Sequence, residues 1–301
     1  MAFQNLKKIV SIESPLNSWK LLLVAAAFSR PKFRVWLMLL RPFTHNGMIP
    51  VRYRCNGRHL QIFLRISDLS SDFLSFIELG ASDTYELDHE FHPDLVIDGG
   101  GNIGLFTLRA ATTESSIGGL PMKLVICEPL PRNVEHIQRH LEGNSIEAEI
   151  LQGCLGGTRR SIPFYCREAI DSSFDSEKPY TSVIDMPVYL LRDAIGSNPA
   201  ERILIKLDIE GMEIEALEAF LPSEHRPVYL VGELHQVSVN AVLMQQLFSR
   251  AGWPSEISTV IDDHALFRAC SPAALPFLPS MASLRPAFSE QIHEAGSSIC
   301  G

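Results

Sequence analysis

A chain of 301 residues, 46% of them hydrophobic and 20% charged, is long enough for one large α/β domain with an appendage and is neither disordered nor fibrous in composition. Its net charge of −9 is uneven: residues 1–65 carry eleven Lys and Arg against Glu13 alone, and the remainder is strongly acidic. The six cysteines, at 55, 127, 154, 166, 270 and 300, lack metal-ligand spacing and any disulfide pattern, which excludes a zinc module and a disulfide-stapled scaffold and favours a reducing cytoplasm.

The basic front holds two short apolar runs, Leu21–Phe28 and Val35–Leu40, separated by Arg30, Pro31, Lys32 and Arg34. Neither approaches the roughly 20 residues of a spanning helix. The first also begins too late for a signal peptide and lacks its cleavage pattern. Two helices packed on the body are expected. The alternative is peripheral contact with an anionic membrane through Lys, Arg and Trp36. No zinc knuckle or interleaved aromatic-basic motif points to nucleic acid, and none is expected as a partner. Two β segments flank Asn56-Gly57, a hairpin signal that completes an N-terminal helical and β extension over residues 1–65.

The spacing of Leu69, Phe73, Phe76, Ile77 and Leu79 predicts a helix from Ser67 to Leu79, with Ser67 or Asp68 as its N-cap. Leu95-Val96-Ile97 reads as a buried strand ending in Asp98, followed by a glycine turn and a helix carrying Phe106, Thr107 and Ala110. A second strand, Lys123–Cys127, ends at Glu128-Pro129. The helix from Pro131 stops at Gly143-Asn144, and a third strand spans Ala148–Gln152. Between 153 and 186, β segments are expected near Ile162–Cys166 and Val183–Met186, then a helix over Val188–Ile195. A fourth strand, Ile203–Leu207, ends in Asp208, and Gly211 opens the next helix. The fifth strand, Val228–Gly232, leads into Glu233-Leu234-His235 and a helix over Val239–Arg250. Ile257–Ile261 and Ala265–Ala269 then pair across Asp262-Asp263-His264, and residues 276–301 form an irregular tail.

This alternation over residues 66–275 predicts a mostly parallel doubly wound α/β sheet with an antiparallel edge. Ligands in such sheets bind beyond the carboxyl ends of the strands. Gly99, Gly101 and Gly104 match the dinucleotide fingerprint, which leaves an NAD-dependent oxidoreductase open. Asp98 argues otherwise, because its carboxylate repels a diphosphate and suits the ammonium and sulfonium of S-adenosylmethionine. Glu128 can accept hydrogen bonds from ribose hydroxyls of either cofactor. Strand alternation puts Lys206 and Asp208 on one side, with Glu210 if the strand persists. Such a cluster orients or deprotonates a hydroxyl, or holds a divalent cation. His235 is suited to proton transfer near neutral pH. A third reading is a cofactor-binding fold that has lost catalysis and serves as an interaction module.

Val96-Ile97-Asp98-Gly99-Gly100-Gly101-Asn102-Ile103-Gly104-Leu105-Phe106-Thr107, Ile126-Cys127-Glu128-Pro129-Leu130-Pro131-Arg132-Asn133 and Leu204-Ile205-Lys206-Leu207-Asp208-Ile209-Glu210-Gly211-Met212-Glu213 resemble, in that order, the FkbM-type S-adenosylmethionine-dependent methyltransferases. Glu233-Leu234-His235 and Ser67-Asp68 agree, and the resemblance runs over about residues 65–250. Gly101 stands where the family commonly has alanine. The resemblance implies a class I methyltransferase (Rossmann-like) sheet of seven strands in the order 3-2-1-4-5-7-6, with S-adenosylmethionine as cofactor. It implies that Asp98, Gly100 and Asn102 line the methionine end, with Gly99, Gly101 and Gly104 of the same loop also binding the cofactor. Glu128 would hold the ribose, and Gly153 and Cys154 would border the adenine. Lys206, Asp208 and Glu210 would face the methyl-transfer cleft, with Asp208, Glu210 or His235 as base and no metal required. Family members chiefly methylate a hydroxyl of a sugar, a lipid-linked glycan or a secondary metabolite, so a small-molecule or glycan acceptor is expected.

Overall fold

The computed structural model describes residues 46–284 apart from 82, 114–121, 167–179, 198, 259–262 and 283. The basic front with both apolar runs, where two packed helices are expected from sequence, and the end of the tail lie outside the described residues. Among the described residues no helix is long and apolar enough to cross a membrane.

Strands β1 (Met48–Cys55) and β2 (Arg58–Arg65) form the hairpin around Asn56 and Gly57, whose φ values of 46° and 79° give the left-handed turn that matches strand twist. Alternation buries Ile49, Val51 and Tyr53 from one strand and Leu60, Ile62 and Leu64 from the other. Helix α1 (Leu69–Ser75) then continues as a π-helical turn over Phe76–Ala81 rather than as one α-helix to Leu79. Gly80 makes room for the Phe76 ring, since a Cβ there would lie 2.6 Å from Phe76 Cδ2. Asp68 occupies the N-cap position without capping the helix, and its carboxylate faces Arg65 and Arg132 instead.

The alternating part follows as β3 (Leu95–Gly99), α2 (Leu105–Ala110), β4 (Lys123–Glu128), α3 (Pro131–Asn144) and β5 (Glu149–Gln152). A small sheet interrupts it, made of β6 (Cys154–Leu155), β7 (Arg160–Cys166) and β8 (Ser182–Tyr189). Strand β8 runs through Val188, where a helix was expected to begin. Met186 and Val188 are buried with Pro187 exposed between them, and Val188 pairs with both Cys154 and Arg160. The expected helix survives only as α4 (Leu191–Ile195). Next come β9 (Ile203–Leu207), α5 (Glu213–Phe220), β10 (Val228–His235), α6 (Val237–Ala251), β11 (Ser255–Ile257) and β12 (His264–Cys270). The main sheet has the order β11-β12-β10-β9-β3-β4-β5, which is the class I methyltransferase order, and β12 runs opposite to the other six strands. The start of the expected tail is structured: α7 (Pro279–Ala282) follows a 3₁₀ segment, and Leu278 and Met281 are fully buried beside Cys270 and Ala274.

The hairpin is pinned to α3 by side chains. Asn144 bonds both the N–H and the carbonyl of Gln61, at 2.7 Å each. His140 accepts the Phe63 N–H at Nε2 (2.9 Å) and donates from Nδ1 to the Ile103 carbonyl (2.7 Å). Burial, aided by His136, lowers the His140 pKa from 6.5 to about 3, so the native ring is neutral. The unfolded chain binds that proton more readily, so stability is full above pH 6.5 and is lost as pH falls below it. This one group accounts for a loss on the order of 3 kcal/mol at about pH 4. The melting temperature of His140→Gln is therefore expected to fall less than that of the wild type between pH 7 and pH 4.5. Parallel slopes would refute the assignment.

Candidate active site

A cavity of about 1020 Å³ opens at the carboxyl ends of β3, β4, β9 and β10. Gly100, Asn102, Glu128, Gly153 and Cys154 line one part of it, and Lys206, Asp208, Glu210 and His235 another. Ser75 and Glu78 close it from the α1 side, and Arg160 and Phe164 from β7.

The turn after β3 is held against its neighbours by backbone. The N–H groups of Gly100 and Gly101 both donate to the Cys127 carbonyl, at 2.9 and 3.0 Å, and Asp208 N–H donates to the Gly99 carbonyl at 3.1 Å. Gly100 has φ 75°, and a Cβ on it would stand 1.8 Å from the Asp208 carbonyl oxygen. Gly104, at φ 80°, is the left-handed N-cap of α2. Gly99, Gly101 and Gly104 are not on the cavity wall; they shape the loop from behind. A Cβ at Gly99 would meet Leu155, and one at Gly101 would meet Ile126 Cγ2 at 2.3 Å.

Asp98 is also absent from the wall. It is fully buried on the sheet face shared with Val96 and Leu204, opposite Lys206 in the parallel β3–β9 register. Thr107 donates to one carboxylate oxygen at 2.7 Å, and Lys206 Nζ stands 3.3 Å from the other. The charge expected to meet a ligand is thus neutralised inside the fold. Lys206 also donates to the Gly100 carbonyl at 2.6 Å and lies 3.7 Å from Asp208, so it ties the turn to both acids. Burial opposes its charge, but Asp98 and Asp208 outweigh that and raise its pKa.

Glu128 ends β4 nearly enclosed. Its Oε2 accepts the Asn102 N–H at 2.8 Å, and its Oε1 accepts Leu130 N–H at 3.0 Å and Asn133 Nδ2 at 3.1 Å. A carboxylate has about four acceptor sites, so one remains for a ligand hydroxyl. Burial pushes its pKa up to about 7, against these hydrogen bonds. Asn102 is itself steadied by Ser75, which accepts from its Nδ2 at 3.0 Å.

Asp208, Glu210 and His235 come together at the opposite wall. His235 Nδ1 lies 3.0 Å from Glu213 Oε1, which also accepts the N–H groups of Ile209 and Gly211 at 3.1 Å. His235 Nε2 faces Asp208 at 3.9 Å and Glu210 at 3.8 Å. Burial lowers the imidazole pKa, but Glu213, Asp208 and Glu210 outweigh it and raise the value to about 9. Tyr85 donates to Asp208 at 3.4 Å. Burial, with Glu233 and Asp208 nearby, raises the pKa of Glu78 as well, so four carboxylates converge on the cavity mouth.

Several of these residues carry no role in the sequence reading. Glu213 lies inside the Lys206–Glu213 motif, and only the fold turns it towards His235. Thr107 is on the inward face of α2, and Ser75 is one serine of several in α1. His264 sits at a hairpin turn, where its ring packs 4.7 Å from that of His235.

The donor set fits S-adenosylmethionine: an acidic wall for its ammonium and sulfonium, and a buried carboxylate with a free acceptor site for its ribose. No curated protein matches this chain. Similar solved structures include a methyltransferase from Geobacter sulfurreducens, 18% identical over 62% of this chain and 75% of its own, at TM-score 0.39. M. jannaschii TYW2 in complex with AdoMet is 11% identical over 75% of this chain and 88% of its own, at TM-score 0.40. T. thermophilus 16S rRNA N2 G1207 methyltransferase, in complex with AdoMet and guanosine, is 12% identical over 85% and 69%, at TM-score 0.43. The methyltransferase FkbM domain matches residues 98–252, which takes the methyltransferase reading over the dinucleotide one. The chain belongs to the FkbM family of S-adenosylmethionine-dependent methyltransferases.

Proposed function

We propose that this protein is an O-methyltransferase acting on a hydroxyl of a sugar, a glycan or glycolipid, or a secondary metabolite. The observation that carries the reading is the Asp208–Glu210–His235 cluster, which shares one cavity with Glu128 and the glycine turn. A hydroxyl must lose its proton on methylation, and the carboxylate of Asp208 or Glu210 beside the transfer site can receive it, while His235, charged near neutral pH, steadies both acids rather than acting as the base expected from sequence.

When bound, S-adenosylmethionine supplies an electrophilic methyl carbon on a sulfonium. Glu128 would accept from a ribose hydroxyl, Gly100 and Asn102 would border the methionine end, and Gly153 and Cys154 would border the adenine. Lys206 holds the Gly100 carbonyl and Asp208 in place, so it positions both halves of the site. Aligning acceptor oxygen and methyl carbon is the chain's largest contribution. Glu78, Asp208, Glu210 and Glu233 make one end of the cavity acidic, which supports an uncharged hydroxyl-bearing acceptor there, while Arg65, Arg132 and Arg160 also line the cavity. The free thiols of Cys55, Cys127, Cys154, Cys166 and Cys270 support a cytoplasmic location.

Calorimetry with S-adenosylmethionine and NAD, followed by a methyl-transfer screen of cell glycans and metabolites read by mass, tests the reading. Methylation only at nitrogen, carbon or a nucleic acid would overturn it. Glu128→Gln is expected to weaken cofactor binding about 10- to 100-fold, the worth of a charged hydrogen bond. Asp208→Asn is expected to cut turnover about 100-fold with cofactor affinity largely kept. Equal effects of the two variants on affinity and turnover would remove this division of labour.

A further inference from the structure

The mouth of the cavity contains ligand atoms of more than one kind. Asp208, Glu210 and His235 each offer one, and all three lie within 4.8 Å of one another. Two metal–ligand bonds of about 2.1 Å span at most about 4.2 Å, and Nε2 of His235 lies 3.9 and 3.8 Å from the two carboxylates. An ion placed among them reaches all three with small side-chain rotations.

The histidine supplies the independent sign. The His235 side chain is largely buried, and its Nε2, on the cavity side, makes no hydrogen bond among the described residues and is aimed between Asp208 and Glu210. Its other nitrogen is taken by Glu213, which is wholly buried and anchored by two backbone N–H groups. A carboxylate that fixes one imidazole nitrogen while the other faces oxygen donors is the usual support of a metal-bound histidine.

We propose that Asp208, Glu210 and His235 bind a divalent transition-metal ion at the cavity mouth. One imidazole with two carboxylates suits manganese, iron or zinc better than magnesium or calcium, which take oxygen ligands. His264 and Glu233 are close by, but Nδ1 of His264 already lies 2.5 Å from Glu233 Oε1, and Nε2 of His235 can serve one ion only. The assignment is independent of which acceptor is methylated.

The test uses the full chain, stripped with a chelator, dialysed and titrated with Mn²⁺ while free ion is followed by electron paramagnetic resonance. One ion per chain is expected, bound at least tenfold more weakly by Glu210→Gln and by His235→Gln. Glu213→Gln should weaken binding about 10- to 100-fold without removing a ligand. Circular dichroism identifies any variant that fails to fold, and Glu256→Gln, remote from the cavity, should bind as the wild type. No binding of Mn²⁺ or Zn²⁺ by the folded wild type at millimolar concentration overturns the proposal. Binding that survives Glu210→Gln but is lost in His264→Gln overturns it too, by moving the ion to the neighbouring trio.

Discussion

Lys206→Met is expected to destabilise the protein by about 3–5 kcal/mol, the cost of removing one partner of a buried ion pair. Lys206 is 1% exposed and stands opposite Asp98 in the pairing of β9 with β3. Methionine fills nearly the same volume, so the loss is electrostatic rather than a cavity. It leaves the Asp98 carboxylate buried with Thr107 as its one donor, and strips the Gly100 carbonyl of its 2.6 Å bond. Urea unfolding of Lys206→Met, Asp98→Asn and the double variant checks the argument. The double variant should lose clearly less than the two single losses added together, because it leaves no charge unpaired. Additive losses, or a wild-type midpoint for Lys206→Met, would show that the pair does not support the fold. Cofactor binding should fall as well, since the same ammonium ties the glycine turn to Asp208.

The pairing of Lys206 with Asp98 is a long-range property that no local sequence signal carries. The turn at Asn56-Gly57, the short apolar strands and the amphipathic α3 each follow from local rules, and local rules suffice for the alternation of strands and helices. Side-chain alternation correctly put Lys206 and Asp208 on one side of β9, and they lie 3.7 Å apart. Register between strands distant in the chain is not a local property. Nothing near Asp98 shows that residue 206 lies opposite it, so its charge was expected to serve a ligand when a lysine neutralises it. The same limit hid Glu213 behind His235 and the bond from Asn102 to Ser75. In β8 the failure was local: Val188 fits a helix start and a strand end equally well, and its pairing with β6 and β7 decides.

Gly100→Ala is expected to reduce S-adenosylmethionine binding by more than about 100-fold, whether or not the variant stays folded, by displacing the backbone that forms the site. Two independent terms act at this position. The φ of 75° disfavours any L side chain, by about 1–2 kcal/mol. The added Cβ would stand 1.8 Å from the carbonyl oxygen of Asp208 and 2.9 Å from its carbon, and a backbone group cannot rotate away as a side chain can. Relief requires the turn to move off the end of β9. That movement strains the Asp208 N–H to Gly99 bond and the Gly100 N–H to Cys127 bond, at 3.1 and 2.9 Å. Two other glycines separate the terms. Gly57 has φ 79° and nothing within 4 Å of the built Cβ, so Gly57→Ala should show the conformational cost alone. At Gly101 φ is ordinary and the nearest atom, 2.3 Å away, is Cγ2 of the buried Ile126, a side-chain atom that must shift rather than backbone, so Gly101→Ala should show a packing cost and reduce cofactor binding less than Gly100→Ala. Calorimetric titration of the three variants should therefore place Gly100→Ala far below the other two. If Gly57→Ala lost as much stability as Gly100→Ala and cofactor binding survived in both, the close approach of turn and strand would carry no functional weight.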